Sequence, residues 1–272
     1  SNLGVDYMRE KMRNLIKGND KKSVFVYFLL RTLIIICMIR EIMNGNFQNA
    51  ALCVLSLVLF LLPFFIEKKM KIELPSVLEI IIFCFIFAAE ILGEINNFYG
   101  TFPYWDTILH TLNGFLCASV GFSLVYLLNE NSKSFHLAPV FVALVAFCFS
   151  MTIGVAWEFF EYGMDTLFGL DMQKDEIVDH INTVTFDPEQ DNQVVSISGI
   201  THTVLYGQED VLLEMDGYLD IGLHDTMKDM FVNCIGAFVF SVFGYLYMIN
   251  KKKFGLAGEF ITKRATLHKS EN

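Results

Sequence analysis

Charge is scarce in this chain. Only 18% of its 272 residues are Asp, Glu, Lys or Arg, while 54% are hydrophobic. That ratio excludes an ordinary soluble domain, which needs more polar surface to cover its core. Proline is scarce as well, with five residues in all, so long stretches run without a helix breaker. No CxxC pair and no Cys/His cluster is present, which removes zinc, haem and iron–sulfur attachment by cysteine motifs. GxGxxG and GxxxxGK are absent, so there is no dinucleotide or phosphate-loop fingerprint. HExxH and the ExxH pairs of di-iron bundles are missing too. A net charge of −10 argues against nucleic acid as a partner.

What is present is apolar and long. Six runs, at about 24–43, 49–66, 77–95, 107–128, 137–162 and 225–250, are near the ~20 residues that cross a bilayer as a helix. The fold expected is an all-α polytopic membrane protein of six transmembrane helices. The first run has no small-residue cleavage site after it and reads as an uncleaved span. Lys and Arg gather in the N-terminal segment (Arg9, Lys11, Arg13, Lys17, Lys21, Lys22), at Lys68, Lys69 and Lys71, at Lys133 and at Lys251–Lys253. The alternate connections 44–48 and 96–106 hold none. The positive-inside rule then places both termini in the cytoplasm. The segment M-R-E-K-M-R-N-L-I-K reads equally as an interfacial amphipathic helix or a solvated extension. The division expected is 1–23 cytoplasmic, 24–168 spans one to five, 169–224 an extracytoplasmic loop, 225–250 span six and 251–272 a cytoplasmic tail.

The large loop carries twelve acidic residues and one lysine, Lys174, between Gly169 and Asp220. V-V-S-I-S-G-I, T-V-L-Y-G and V-L-L-E-M are β-like runs broken by Gly and acidic turns, so a small β-like insertion is expected between spans five and six. The six cysteines, 37, 53, 84, 117, 148 and 234, all lie in apolar runs and read as packing residues.

The polar residues of the spans are polarised toward one leaflet. Span four opens Y-W-D-T-I-L-H-T-L-N-G, span five closes V-A-W-E-F-F-E-Y-G-M-D, and span six opens G-L-H-D-T-M-K-D-M-F-V-N. In the topology above these ends all face outward. Asp106, His110 and Asn113 share a helix face by spacing; so do Glu158, Glu161 and Asp165, and Asp225, Asp229 and Asn233. Span three adds Glu90, Glu94 and Asn96 at its end, and span one adds Arg40 and Glu41. Like charges at these spacings repel, and an uncompensated charge near hydrocarbon is costly. Asp106, Glu158, Glu161, Asp225 and Asp229 are five such carboxylates on spans four to six, with Arg40 and Lys228 as the basic partners at hand. A bound cation, protonation or both would close the deficit. The metal-ligand candidates are Glu158, Glu161, Asp225, Asp229, Asp106 and His110. Oxygen ligands plus imidazole suit Mg, Mn, Ca, Zn or Fe. His110 and Glu161 are the candidates for proton transfer. Arg40, Lys228 and Asn233 are candidates for substrate contact or charge balance. Asp106 and Asp225 also stand where they can N-cap spans four and six. Trp105, Trp157 and Tyr104 read as belt aromatics, Gly114, Gly121, Gly236 and Gly244 as close helix contacts, and Arg31 with Glu79 as a structural pair.

The stretches Y-W-D-T-I-L-H-T-L-N-G-F, W-E-F-F-E-Y-G-M-D-T-L-F-G and G-Y-L-D-I-G-L-H-D-T-M-K-D-M-F-V-N-C-I-G-A resemble a family of uncharacterised bacterial integral inner-membrane proteins. The resemblance implies a multi-pass protein of the inner membrane and carries no activity with it. The residues leave three functions open. One is a metal-dependent hydrolase or transferase facing the outer leaflet and acting on a lipid or amphipathic substrate. Another is a divalent-cation or proton-coupled transporter. The third is a non-catalytic sensor or assembly protein with a structural metal.

Overall fold

The computed structural model describes residues 21–70, 72–132, 136–206 and 212–264. The N-terminal stretch, read equally as an interfacial helix or a solvated extension, lies outside them, as do Lys133 and the tail beyond 264. Six helices are long and apolar enough to cross a membrane: Lys22–Met43, Phe47–Lys69, Ser76–Ile95, Trp105–Glu130, Pro139–Phe168 and Leu223–Ile249. A strand-bearing loop is inserted between the fifth and the sixth. The chain forms two compact units, one of Ser1–Gly154 with Val232–Asn272, the other Val155–Phe231.

In the first unit, α1 (Lys21–Met43) turns into α2 (Phe47–Leu59) through Asn44–Asn46. Gly45 takes φ +75°, a left-handed conformation that glycine adopts without strain. The Asn46 side chain accepts the Asn49 N–H at 3.2 Å and caps the new helix. α3 (Leu62–Met70) completes span two. Ahead of α4 (Ser76–Ile86), the buried Glu67 takes the Leu74 N–H at 2.8 Å. α4 then widens into a π-helical segment, Phe87–Ile95. Ile34, Cys37, Cys53, Phe60, Phe83, Ile86 and Ile91 form one buried cluster among these helices.

Past the short α5 (Phe98–Thr101), α6 runs from Trp105 to Asn131 and α7 from Pro139 to Phe168. Pro139 opens α7 at the position where its missing N–H costs nothing. Span five extends six residues beyond the expected 162. α8 (Leu223–Ile249) is the sixth span. The second halves of α6 and α8 and the first half of α7 share a core of Ala118, Phe122, Tyr126, Val142, Ala146, Ala237 and Phe240. The tail contributes to it. A 3-10 helix, Gly255–Phe260, brings Phe260 to 5.2 Å from the Phe115 ring and 6.4 Å from the Phe240 ring. Ile261 and Thr262 are buried, and Ser123 Oγ accepts the Thr262 N–H at 3.0 Å. Strand β1 (Ile72–Glu73) pairs antiparallel with β8 (Lys263–Arg264). Part of the segment 251–272, expected as a tail, thus packs into the unit. At the same end, Lys251 Nζ sits 2.7 Å from Glu130 and 5.1 Å from the centre of the Tyr126 ring.

The second unit holds the ends of α7 and α8 that adjoin the loop. β2 (Glu176–Val178) pairs with β7 (Tyr218–Asp220), enclosing in sequence two further antiparallel ladders. These are β3 (His180–Thr183) with β4 (Val195–Ser198), and β5 (Thr203–Tyr206) with β6 (Leu212–Met215). All three expected β-like runs are strands. Asp187 accepts backbone N–H groups from Gln193 at 2.9 Å and Glu189 at 3.2 Å, which holds its carboxyl below the ordinary aspartate range.

Candidate functional site

Small residues decide how α6, α7 and α8 meet. A Cβ on Gly114 would lie 2.1 Å from the Asn233 carbonyl oxygen, and one on Gly236 only 1.9 Å from that of Thr111. α6 and α8 therefore touch backbone to backbone. α7 joins at the same place. A Cβ on Gly154 would lie 2.7 Å from Asn233 Nδ2, and Ser150 Oγ donates to the Gly114 carbonyl at 2.8 Å. Asn233, 1% exposed, is the centre of this joint. Its Oδ1 accepts from Asn113 Nδ2 at 3.1 Å, and its Nδ2 faces Met151 Sδ at 3.8 Å. Asn233 thus acts as a packing and hydrogen-bonding hub. The glycine contacts expected from the sequence are present, including Gly121 on Phe149 and Gly244 on Phe122. Sequence reasoning missed Gly154, Ser150 and Met151, because small or apolar residues in an apolar run carry no spacing signal of their own.

Each of the three helices carries an ionisable residue four positions from the joint, toward the ends that carry the polar motifs. His110 precedes Gly114 on α6, Asp229 precedes Asn233 on α8, and Glu158 follows Gly154 on α7. Four residues are about 6 Å, one helical turn. His110 Nε2 lies 3.4 Å from Asp106 Oδ1, and their side chains are 14% and 26% exposed. Glu158, Glu161 and Asp229 are buried.

The remaining candidates have other local partners. Trp157 Nε1 donates to Glu161 Oε1 at 2.7 Å. Asp165 takes the N–H groups of Met172 and Gln173 at 2.6 and 2.9 Å, stitching the loop to the end of α7. Asp225 accepts the Lys174 N–H at 2.9 Å and pairs with Lys228 at 3.0 Å. Lys228 also stands 3.9 Å from Glu176. Asp106 and Asp225, expected as candidate N-caps, do not stand at the cap positions. α6 starts at Trp105 after Tyr104, and α8 starts at Leu223, where Asp220 takes the His224 N–H at 2.8 Å. Both aspartates sit inside the first turn. Arg40 pairs with Glu41 at 2.8 Å, and Glu41 also receives Asn49. Arg31 goes to Tyr27 and Glu79 receives Ser23, so the expected Arg31–Glu79 pair is replaced by two separate contacts. Trp105, read as a belt residue, turns its indole N–H onto the Ala88 carbonyl at 3.3 Å.

Residues 24–250 match the model of a family described as "Predicted membrane protein (DUF2238)". The chain belongs to that family. The DUF2238 match takes in every candidate from Arg40 to Asn233. Among curated proteins, an uncharacterised protein of Thermotoga maritima is 28% identical over 105 residues, 39% of this chain and 53% of the relative. The chain thus spans about half the length of that relative. No solved structure matches this DUF2238 chain.

Proposed function

We propose that the three ionisable residues one turn from the Asn233 joint build a divalent-cation centre, and that the bound cation serves a hydrolase or transferase acting on a lipid or amphipathic substrate. The observation that carries this reading is the shared register. His110, Asp229 and Glu158 each stand four residues from a joint whose backbone contacts leave no room for slippage. α8 runs unbroken through Asp229 and Asn233, and α7 through Gly154 and Glu158, so helix geometry carries the alignment outward by one turn. In this reading Asp106, His110 and Asp229, two carboxylates and one imidazole, are the primary ligands, and Glu158 is a fourth. This mix suits Mg, Mn, Ca, Zn or Fe. Asp225, engaged by Lys228 and the Lys174 N–H, is better explained as a structural residue than as a ligand.

A cation there would polarise a phosphoryl or carbonyl oxygen and activate water. Glu161, hydrogen-bonded by Trp157, is the proton carrier in this scheme, and Lys228 balances charge through Asp225. The enzyme reading is favoured over a conduit by the filled inner half. Ala118, Phe122, Tyr126, Phe240 and Phe260 pack there as an apolar cluster, and the buried Ser123 is engaged by the Thr262 N–H, whereas a conduction path needs a polar lining. The test uses purified protein in detergent, without a gradient. Divalent ion should raise the melting temperature, and the protein should release product from a phospholipid or another amphipathic ester. At a free ion concentration of 100 times Kd the stabilisation is about 2.7 kcal/mol. Ion flux into proteoliposomes that is lost in both Glu158→Gln and His110→Gln, with no turnover in detergent, would overturn the enzyme assignment.

A further inference from the structure

Span three and the first two turns of α6 leave a groove between them. Its volume is about 210 Å³, and all nine residues that line it are apolar. Cys84 and Ala88 line it from span three, and Trp105, Ile108 and Leu112 from α6. The Ala88 carbonyl takes the Trp105 indole N–H at 3.3 Å, which uses the one polar atom among the lining side chains apart from sulfur. Cys84 and Ile108 are exposed, so the groove is open and not a sealed void. One turn further along α6, Leu116 packs with Leu78, Ile81 and Phe85 in a buried cluster that closes that end. From Trp105 to Leu112 the groove runs about 10 Å, most of the ~15 Å of hydrocarbon in one leaflet. Both walls are membrane spans, so the medium at its mouth is lipid. A second copy of the chain is the wrong size for it: a stable protein interface takes about 20–30 residues a side, and nine line this groove. A polar pair stands beside it. Asp106 and His110 each follow a lining residue, Trp105 and Leu109, by one position, about 100° around α6. Their Oδ1 and Nε2 atoms are 3.4 Å apart.

We propose that this groove seats one acyl chain of a membrane lipid, ester end beside Trp105 and tail toward Leu112, with the lipid headgroup against Asp106 and His110. The proposal rests on the hydrolase or transferase reading for what becomes of the lipid, and it narrows the substrate of that reading from any amphipathic molecule to an acyl lipid. Lipid tails are as apolar as the groove, so seating the chain gains little by itself. The shape of the groove selects a single chain, and the headgroup contact supplies the affinity. A cation held by Asp106 and His110 therefore tightens the binding of an anionic lipid.

The experiment uses the full chain in detergent with Trp157→Phe, which leaves Trp105 as its only tryptophan. Phosphatidylglycerol brominated on its acyl chain near the ester is titrated in, and quenching of Trp105 fluorescence is read against unbrominated lipid. The expected result is saturable quenching, weaker when the bromine sits near the methyl end, with half-saturation about tenfold lower in the presence of Mn2+. Ala88→Phe, which fills the groove, should raise the half-saturating lipid concentration about tenfold. Cys84→Phe, which covers the exposed mouth, should do the same and serves if the first variant does not fold. Quenching that never saturates, or an unchanged half-saturation in the folded groove variant, would overturn the proposal. So would saturable quenching that ignores Mn2+ while paramagnetic resonance shows the ion bound, because the lipid would then be held by its chain alone. Saturable quenching that is lost in Ala88→Phe, in a protein that binds no Mn2+, would uphold the acyl groove and sink the cation centre, so the two failures are told apart.

Discussion

Replacing Gly236 by Ala tests the joint on which the proposed site depends. The new Cβ would stand 1.9 Å from the Thr111 carbonyl oxygen and 2.9 Å from the Phe115 nitrogen, where ordinary contact begins at 3.4 Å. Both obstacles are backbone, so no side chain can swing aside, and α6 and α8 must separate by about 1.5 Å. Overpacking of this kind costs about 1–3 kcal/mol, or about a 5- to 150-fold change in the folding equilibrium. The functional consequence should be larger. Metal–ligand distances tolerate only about 0.2 Å, so ligands on both helices cannot follow such a shift and still share one ion. Denaturant titration of detergent-solubilised protein, with and without Mn2+, reads both effects. Gly236→Ala should lower the midpoint and also lose the increment due to Mn2+. Gly163→Ala on α7 is the control. Nothing lies within 4 Å of its would-be Cβ, and a helical Gly→Ala change should stabilise by up to about 1 kcal/mol. If Gly236→Ala keeps both the midpoint and the Mn2+ increment, the close approach of α6 and α8 is refuted as the basis of the site.

Three further outcomes follow from contacts away from the joint. Asp225→Ala should cost about 1–3 kcal/mol by freeing the Lys174 N–H and Lys228, and Asp225→Asn should cost less because an amide oxygen still accepts; hydrogen exchange at the Lys174 amide separates the two. Lys251→Met should change stability by only about 1 kcal/mol or less, since both partners of its ion pair with Glu130 are half exposed, and a thermal melt checks it. The Asp187 carboxyl is held below its ordinary value, so its stabilisation is complete above the unfolded aspartate value of about 3.9 and is lost as pH falls through the folded value. Protease nicking of 184–193 should therefore rise only below about pH 4, and Asp187→Asn should be nicked more readily at neutral pH.

The sequence made the six spans legible because ~20-residue apolar runs have few other fates, and the β insertion because Gly and acidic turns punctuate β-branched runs. The aligned polar stripes were legible for the same reason: helical spacing is fixed wherever a helix exists. The caps were misread because Trp105 and Leu223 already belong to the helices, one and two residues ahead of the aspartates, and helix ends are the least determined part of a pattern. The packed segment Gly255–Thr262 was hidden. Three lysines lead into it, and G-L-A-G-E-F-I-T is too short to show a period, so only tertiary contacts with Phe115, Ser123 and Phe240 reveal its burial. The π-helical Phe87–Ile95 left no mark either, because a widened turn has the same composition as an α-turn. Arg31 and Glu79 looked like a pair because opposite charges in apolar runs need partners, but Arg31 turns to Tyr27 one helical turn away and Glu79 receives Ser23 from the first span.

The central claim is one divalent cation held by residues of the fourth and sixth spans. Mn2+ titration of the purified protein, followed by electron paramagnetic resonance, counts bound ions directly. The account predicts one ion per chain, with binding lost in His110→Gln and in Asp229→Asn while circular dichroism shows both variants folded. Full-strength binding of Mn2+ by both variants, or no bound ion in the wild-type protein at millimolar Mn2+, would contradict it.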